Sequence, residues 1–145
     1  MKPHIAVIGL AASTAQAQHP APTPEQALIA AVLVAEAGGE GWQGLRAVHE
    51  TICNRAKLKG WSKTRIVLQR WQYSCLNRVK PDALIKRAMK HDAWEAALKV
   101  ATSKAGDIVR GATHYDNVKR NGLPAWAQNA RLVATVKNHQ FYILN

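Results

Sequence analysis

The chain is predicted to be a mainly α domain of the α+β class, with a loop-rich C-terminal third that leaves room for a small β element. Three observations lead there. Residues 27–37 are a nearly continuous apolar run closed by Gly38-Gly39. Stretches with helical period follow as far as about residue 106, punctuated by Gly60, Pro81 and Gly106. From residue 107 onward the period is lost, and clusters such as Asn121-Gly-Leu-Pro124 take over.

The first helix is announced by agreeing signals. Thr23 can act as N-cap, Pro24 fits the first helical position, and Gln26 completes a capping box. The run is apolar nearly all round, which predicts a central buried helix. A second helix is expected over 43–58, with Leu45, Val48, Ile52 and Ala56 as its apolar stripe and Gly60 as its stop. Ser62 is placed to cap a short helix through Gln69. Pro81 opens another over 81–90. Asp92 is positioned to cap the next, which carries Trp94, Ala97, Leu98 and Ala101 and stops near Gly106. The tail from Arg131 to Tyr142 has the β-branched and aromatic content of a strand or of irregular packing.

The 145 residues are enough for one domain with an ordinary core. With 48% apolar residues the chain is not of the disordered class. Lys and Arg number 20 against 9 acids, so the formal charge of +11 favours polyanionic partners such as nucleic acid or the anionic polymers of a cell envelope. No basic helix or basic-aromatic sheet signature singles out nucleic acid. Residues 1–17 read as an export signal: Met1-Lys2, an apolar core over 5–12, and the small-residue site Ala15-Gln-Ala17. Residues 18–26 are a Pro-rich lead-in, and 27–145 the working domain. The expected location is therefore the periplasm or the extracellular envelope, with no transmembrane segment. In that setting Cys53 and Cys75 could form a disulfide worth roughly 3 kcal/mol, or remain two thiols. His49 and Cys53 have a ligand-like spacing but lack a second pair, so neither a metal nor a cofactor is expected.

Glu36 is the residue with the clearest chemistry. It ends the apolar run, and on a helix it shares a face with Leu28 and Val32. Burial and the negative end of the helix dipole both disfavour its ionised form, so its pKa should be raised, as a general acid requires. The plain structural alternative is a partly exposed Glu at the end of a core helix. Three further segments carry suitable side chains: Gln72-Tyr73-Ser74, the Thr113–Asn117 stretch, and Trp126 with His139. Aromatic faces stack on sugar rings, while amides and hydroxyls bond sugar hydroxyls and N-acetyl groups. Together with a proton donor they describe a glycan cleft.

Ala35-Glu-Ala-Gly-Gly-Glu40, Gly44 through Asn54-Arg55, Gln72-Tyr-Ser-Cys75, Gly111-Ala-Thr-His-Tyr115 and Asn138-His-Gln-Phe-Tyr142 stand in the order and approximate spacing of a known family. On these motifs the chain resembles the SleB-like cell wall hydrolases of the spore-cortex-lytic type, from about residue 27 to 142. One departure is Gly38, where the family often has Arg. The resemblance implies a lysozyme-like helical fold that cleaves the β-1,4 bond between N-acetylmuramic acid and N-acetylglucosamine in peptidoglycan. It implies that Glu36 is catalytic. Gln72, Ser74, His114, Tyr115, Asn117 and Trp126 are the expected substrate-binding or Glu36-orienting residues. Trp71 and Trp126 are read either as core packing or as the floor of the cleft.

A paired-carboxylate glycosidase needs a second acid about 5–10 Å from the first. Only Glu40 and Asp116 are placed to supply it, and Glu40 could instead pair with Arg46 or Arg55. A lytic transglycosylase needs no second acid, which favours that reaction over a hydrolytic muramidase or phage-type endolysin. Two other classes compete. One is a cationic envelope- or nucleic-acid-binding protein, in which Glu36 has no role. The other is a metal-dependent amidase using His114, Asp116 and His139, although no His-Glu-x-x-His motif is present.

Overall fold

The computed structural model describes residues 20–145. The export signal expected over 1–17 and the first residues of the lead-in lie outside the described residues. The first helix, α1, spans Pro24–Ala37 and begins as its sequence dictates. Thr23 Oγ1 accepts from the Gln26 N–H at 3.2 Å, and Gln26 Oε1 accepts from the Thr23 N–H at 2.9 Å. Both halves of the capping box are therefore closed.

Helix α1 is apolar all round because it is enclosed all round. Ile29, Ala30, Ala31, Val32 and Leu33 have no exposed surface. Around it pack α2 (Gly41–Lys59), α3 (Lys63–Val67), α4 (Pro81–Ala88) and α5 (Trp94–Thr102). Leu45, Val48 and Ile52 of α2 enter this core, with Ala56 partly buried beside them. Gly60 ends α2 in the left-handed conformation at φ 64°. Ser62 caps α3 by accepting from the Arg65 N–H at 3.1 Å.

Two local expectations are corrected. Asp92 does not cap α5. The helix starts after Ala93, whose N–H donates to His91 Nδ1 at 3.0 Å. The same helix ends at Thr102, short of Gly106, because the Ser103 hydroxyl turns back onto the Lys99 and Val100 carbonyls at 2.8 and 2.9 Å. Helix α1 does stop at the glycine pair, with Gly38 as its C-cap in right-handed helical angles, and the left-handed residue before α2 is Gly41 (φ 68°).

The C-terminal third is more ordered than its sequence announces. Strands β1 (His114–Asp116), β2 (Ala130–Val136) and β3 (His139–Leu144) form an antiparallel sheet in the order β1-β3-β2. Residues 131–142, read as one strand or irregular packing, are in fact a hairpin. The two-residue turn Lys137-Asn138 has no glycine, and Lys137 itself takes φ 54°, so the usual turn signal is missing.

A second apolar cluster of Ala47, Val109, Ala112 and Phe141 joins the sheet to α2. The connection is also polar. Glu50, 1% exposed, accepts from the Val109 N–H at 3.2 Å and faces Arg46 at 3.4 Å. Asn54 Nδ2 donates to the Ala112 carbonyl at 2.9 Å. These contacts clamp the 107–112 loop onto α2 and thereby set β1 opposite the end of α1. Asn54 thus braces structure.

Candidate active site

A cleft of about 840 Å³ opens between the end of α1, the segment after α3 and the sheet. Glu36, Glu40, Gln72, Ser74, His114, Tyr115, Asp116, Asn117 and Trp126 all line it. Residues chosen from four separated stretches of sequence are thus brought to one place. Trp71, Arg55 and His139 line it as well.

Glu36 occupies the last turn of α1, half-buried between exposed Ala35 and buried Ala37. Burial is the largest influence on its carboxyl and raises its pKa above the ordinary 4.5. The hydrogen bond from Tyr115, the charge of His139 and the Cys75 thiol pull the other way, and the nearby charge of Asp116 adds to the rise. The Tyr115 hydroxyl donates to Glu36 Oε2 at 2.8 Å. Burial and the adjacent carboxylate drive the Tyr115 pKa well above its usual value, so this hydroxyl stays a donor.

Tyr115 is held in turn by the sheet. It pairs with Phe141 across β1 and β3, with ring centroids 5.5 Å apart, and meets His139 edge-on at 5.2 Å. His139 Nδ1 lies 2.9 Å from Glu40 Oε2. Glu40 therefore pairs with neither Arg46 nor Arg55. Arg46 faces Glu50, and Arg55 Nη2 donates to Gln69 Oε1 at 3.1 Å. Glu40 stands at the amino end of α2, where negative charge is favoured. A side chain at Gly44, one turn on, would strike it. Asp116 Oδ1 accepts from Asn121 Nδ2 at 2.7 Å. Both alternative carboxylates are thus already engaged.

The opposite sheet face carries the aromatic wall. His114 packs on Trp126 at 5.5 Å, and Trp126 meets Tyr142 edge-on at the same separation. Burial, with the charges of Arg55 and Lys59, pushes the His114 pKa down to about 4. Its ring is therefore neutral at neutral pH, and its Nδ1 lies 2.9 Å from the Thr113 hydroxyl. Asn117 lines the cleft, yet its Oδ1 is occupied in accepting from the Arg120 N–H at 3.1 Å, capping the short α6 (Val118–Asn121). Trp71 and Trp126 are not core residues, being 68% and 38% exposed. Trp71 holds φ 65°, a left-handed conformation that costs a bulky side chain about 1–3 kcal/mol.

Of the two alternatives left open for the cysteines, the structure has the thiols, since Cys53 and Cys75 are both free. Cys53 Sγ sits 3.5 Å from His49 Nε2 on α2, whereas Cys75 faces Glu36. Burial and the Glu36 charge push the Cys75 thiol up to about 12, which keeps it protonated beside the carboxylate. That contact was missed in the sequence, although Cys75 directly follows Ser74 in a stretch assigned to the site. Arg55 was not among the expected site residues either, yet it lines the cleft from α2. Among the described residues, no three His, Cys, Asp or Glu side chains gather closely enough to hold a metal ion. His114, Asp116 and His139, the trio considered for an amidase, are each bonded to other partners.

The Tyr115 hydrogen bond favours the ionised carboxylate, so Tyr115→Phe leaves burial less opposed and is expected to raise the Glu36 pKa further. The Glu36 titration, followed by carboxyl NMR, should accordingly move to higher pH in the variant. An unmoved titration would show that Tyr115 does not act on Glu36.

A model of the cell wall hydrolase family matches residues 39–142. Among solved structures, the chain is similar to the catalytic domain of the germination-specific lytic transglycosylase SleB from Bacillus anthracis. The TM-score is 0.66 at 17% identity, covering 85% of this chain and 97% of that one. That likeness establishes the mainly α fold with its small sheet. No curated protein matches the sequence. With well over half of the chain inside the family match, the chain belongs to the cell wall hydrolase family.

Proposed function

We propose that this enzyme cleaves the β-1,4 bond between N-acetylmuramic acid and N-acetylglucosamine as a lytic transglycosylase, with Glu36 as its acid and base. One observation carries the reading. Glu36 is the cleft carboxyl whose pKa burial raises, while Glu40 is bonded to His139 and Asp116 to Asn121. Glu36 precedes the span matched by the family, so its assignment rests on this geometry. The description of the SleB structure as a lytic transglycosylase adds support.

The steps need one group that is first protonated and then ionised. Glu36 gives its proton to the glycosidic oxygen as the bond to the muramic acid C1 breaks. The N-acetyl carbonyl oxygen of that sugar closes on C1 as an oxazolinium, a substrate-assisted route outside the two-carboxylate rule. The Glu36 carboxylate then takes the proton of the C6 hydroxyl, whose oxygen displaces the acetyl oxygen at C1. The products are a 1,6-anhydro end and a free 4-hydroxyl, with no water consumed. Gln72, Ser74 and neutral His114 supply amide, hydroxyl and imidazole groups for the sugar, and Trp126 offers it an aromatic face.

A hydrolytic reading would draw on Asp116, the carboxylate whose charge reaches Glu36. Mass spectrometry of fragments released from purified peptidoglycan separates the two. Anhydro ends, lighter by one water and inert to borohydride, are expected. Reducible muramic ends would make the enzyme a muramidase, and free stem peptides would overturn both. The formal charge of +11 fits work on an anionic wall after export, and no helix among the described residues is long and apolar enough to cross a membrane. Salt-insensitive binding to intact walls would count against that role for the charge.

A further inference from the structure

We infer that Trp71 is a stacking platform for a sugar ring of the glycan strand, set at the rim of the cleft and separate from the wall built around Trp126. The inference rests on the glycan substrate proposed above. Three features of Trp71 agree. Its side chain lines the same cleft as Glu36. The residue is 68% exposed, so burial contributes little to holding the indole where it is. Its backbone adopts φ 65°, a conformation that glycine takes without strain and an aromatic residue does not.

A strained backbone carrying an exposed indole gains little from packing in the free protein. Strain of this kind is retained where it aims a side chain at a ligand. The Arg70 guanidinium lies 5.1 Å from the ring centroid, which limits the motion of the ring and covers part of one face. What remains open is a flat apolar surface beside a polar cleft. A pyranose matches it: the axial C–H groups of a β-linked sugar present an apolar face, while its hydroxyls point outward to amides. Trp126 differs in kind, being packed against His114 and Tyr142 in the sheet wall. The two indoles therefore offer two points of stacking along an extended strand.

The test uses the full chain carrying Glu36→Gln, so that binding is read without cleavage, and peptide-free glycan strands as the probe. Adding Trp71→Ala is expected to weaken binding by roughly 3- to 10-fold, as for loss of one aromatic stacking contact. Trp71→Tyr should restore most of the affinity. Trp71→Gly should lose affinity like the alanine variant yet melt no lower than its parent, because it relieves the backbone. Unchanged binding in the alanine variant would overturn the inference. So would a glycine variant that melts several degrees lower, since the ring would then be a packing group. Failure of the Glu36→Gln protein itself to bind glycan strands would instead remove the substrate reading on which the inference depends.

Discussion

Glu36→Gln is expected to lower peptidoglycan cleavage by about 10²- to 10⁴-fold, the usual contribution of a positioned general acid. The circular dichroism spectrum should not change. Gln has nearly the same shape, and its carbonyl oxygen can still accept from the Tyr115 hydroxyl, which lies 2.8 Å from Glu36 Oε2. What it lacks is a proton to give and a charge to take one back. The same variant reports on burial. In the folded chain the Glu36 pKa is raised above 4.5, so ionisation is penalised in the folded state and not in the unfolded one. Below the unfolded value both states are protonated, and the group contributes no pH-dependent difference. As pH rises from there through the raised folded pKa, the parent loses stability that the Gln variant keeps. The gap in thermal midpoint should therefore open above about pH 4.5 in favour of Glu36→Gln and then level off. A variant with parental activity would dispose of the catalytic assignment. A gap that ignores pH would show that burial does not govern the Glu36 proton.

Phe141→Ala is expected to cost about 3–5 kcal/mol, the range for emptying a buried aromatic site. Phe141 is 1% exposed and is the large member of the small cluster formed with Ala47, Val109 and Ala112. For a domain of this size the loss corresponds to a melting midpoint lower by roughly 10 °C or more. The effect should extend to the site, because Phe141 backs both Tyr115 and His139. Activity measured well below the new midpoint should fall as Tyr115 loosens from Glu36. A thermal melt shifted by only a degree or two would mean that the sheet is held to α2 mainly by the Glu50 and Asn54 hydrogen bonds.

The helices were largely legible because their signals are local. Thr23, Pro24 and Gln26 lie within one turn, and the cap they predict depends on no other part of the chain. Gly60 stops α2 and Ser62 starts α3 for equally local reasons. The sheet was not legible to the same degree. Its hairpin turns at Lys137-Asn138 without glycine, and β1 has three residues, too few for any alternation to stand out. Asp92 illustrates the limit from the other side. It is a good capping residue in a good position, yet the His91 ring takes the N–H of Ala93.

Read alone, the sequence determines a buried α1 ending in a single carboxylate, because an apolar run closed by two glycines has few ways to fold and Glu36 cannot leave its end. It also determines which side chains are chemically able to serve a glycan. What only the tertiary structure decides is who partners whom. Glu40 turns to His139 on β3, Cys75 turns to Glu36 instead of Cys53, and Tyr115 reaches across from the sheet to the helix end. Glu40 and His139 are 99 positions apart in the chain, and Glu36 and Tyr115 are 79 apart. Contacts at that separation carry no local signal. They follow from the Glu50, Asn54 and Phe141 contacts that dock the sheet on α2 and so bring β1 to the end of α1.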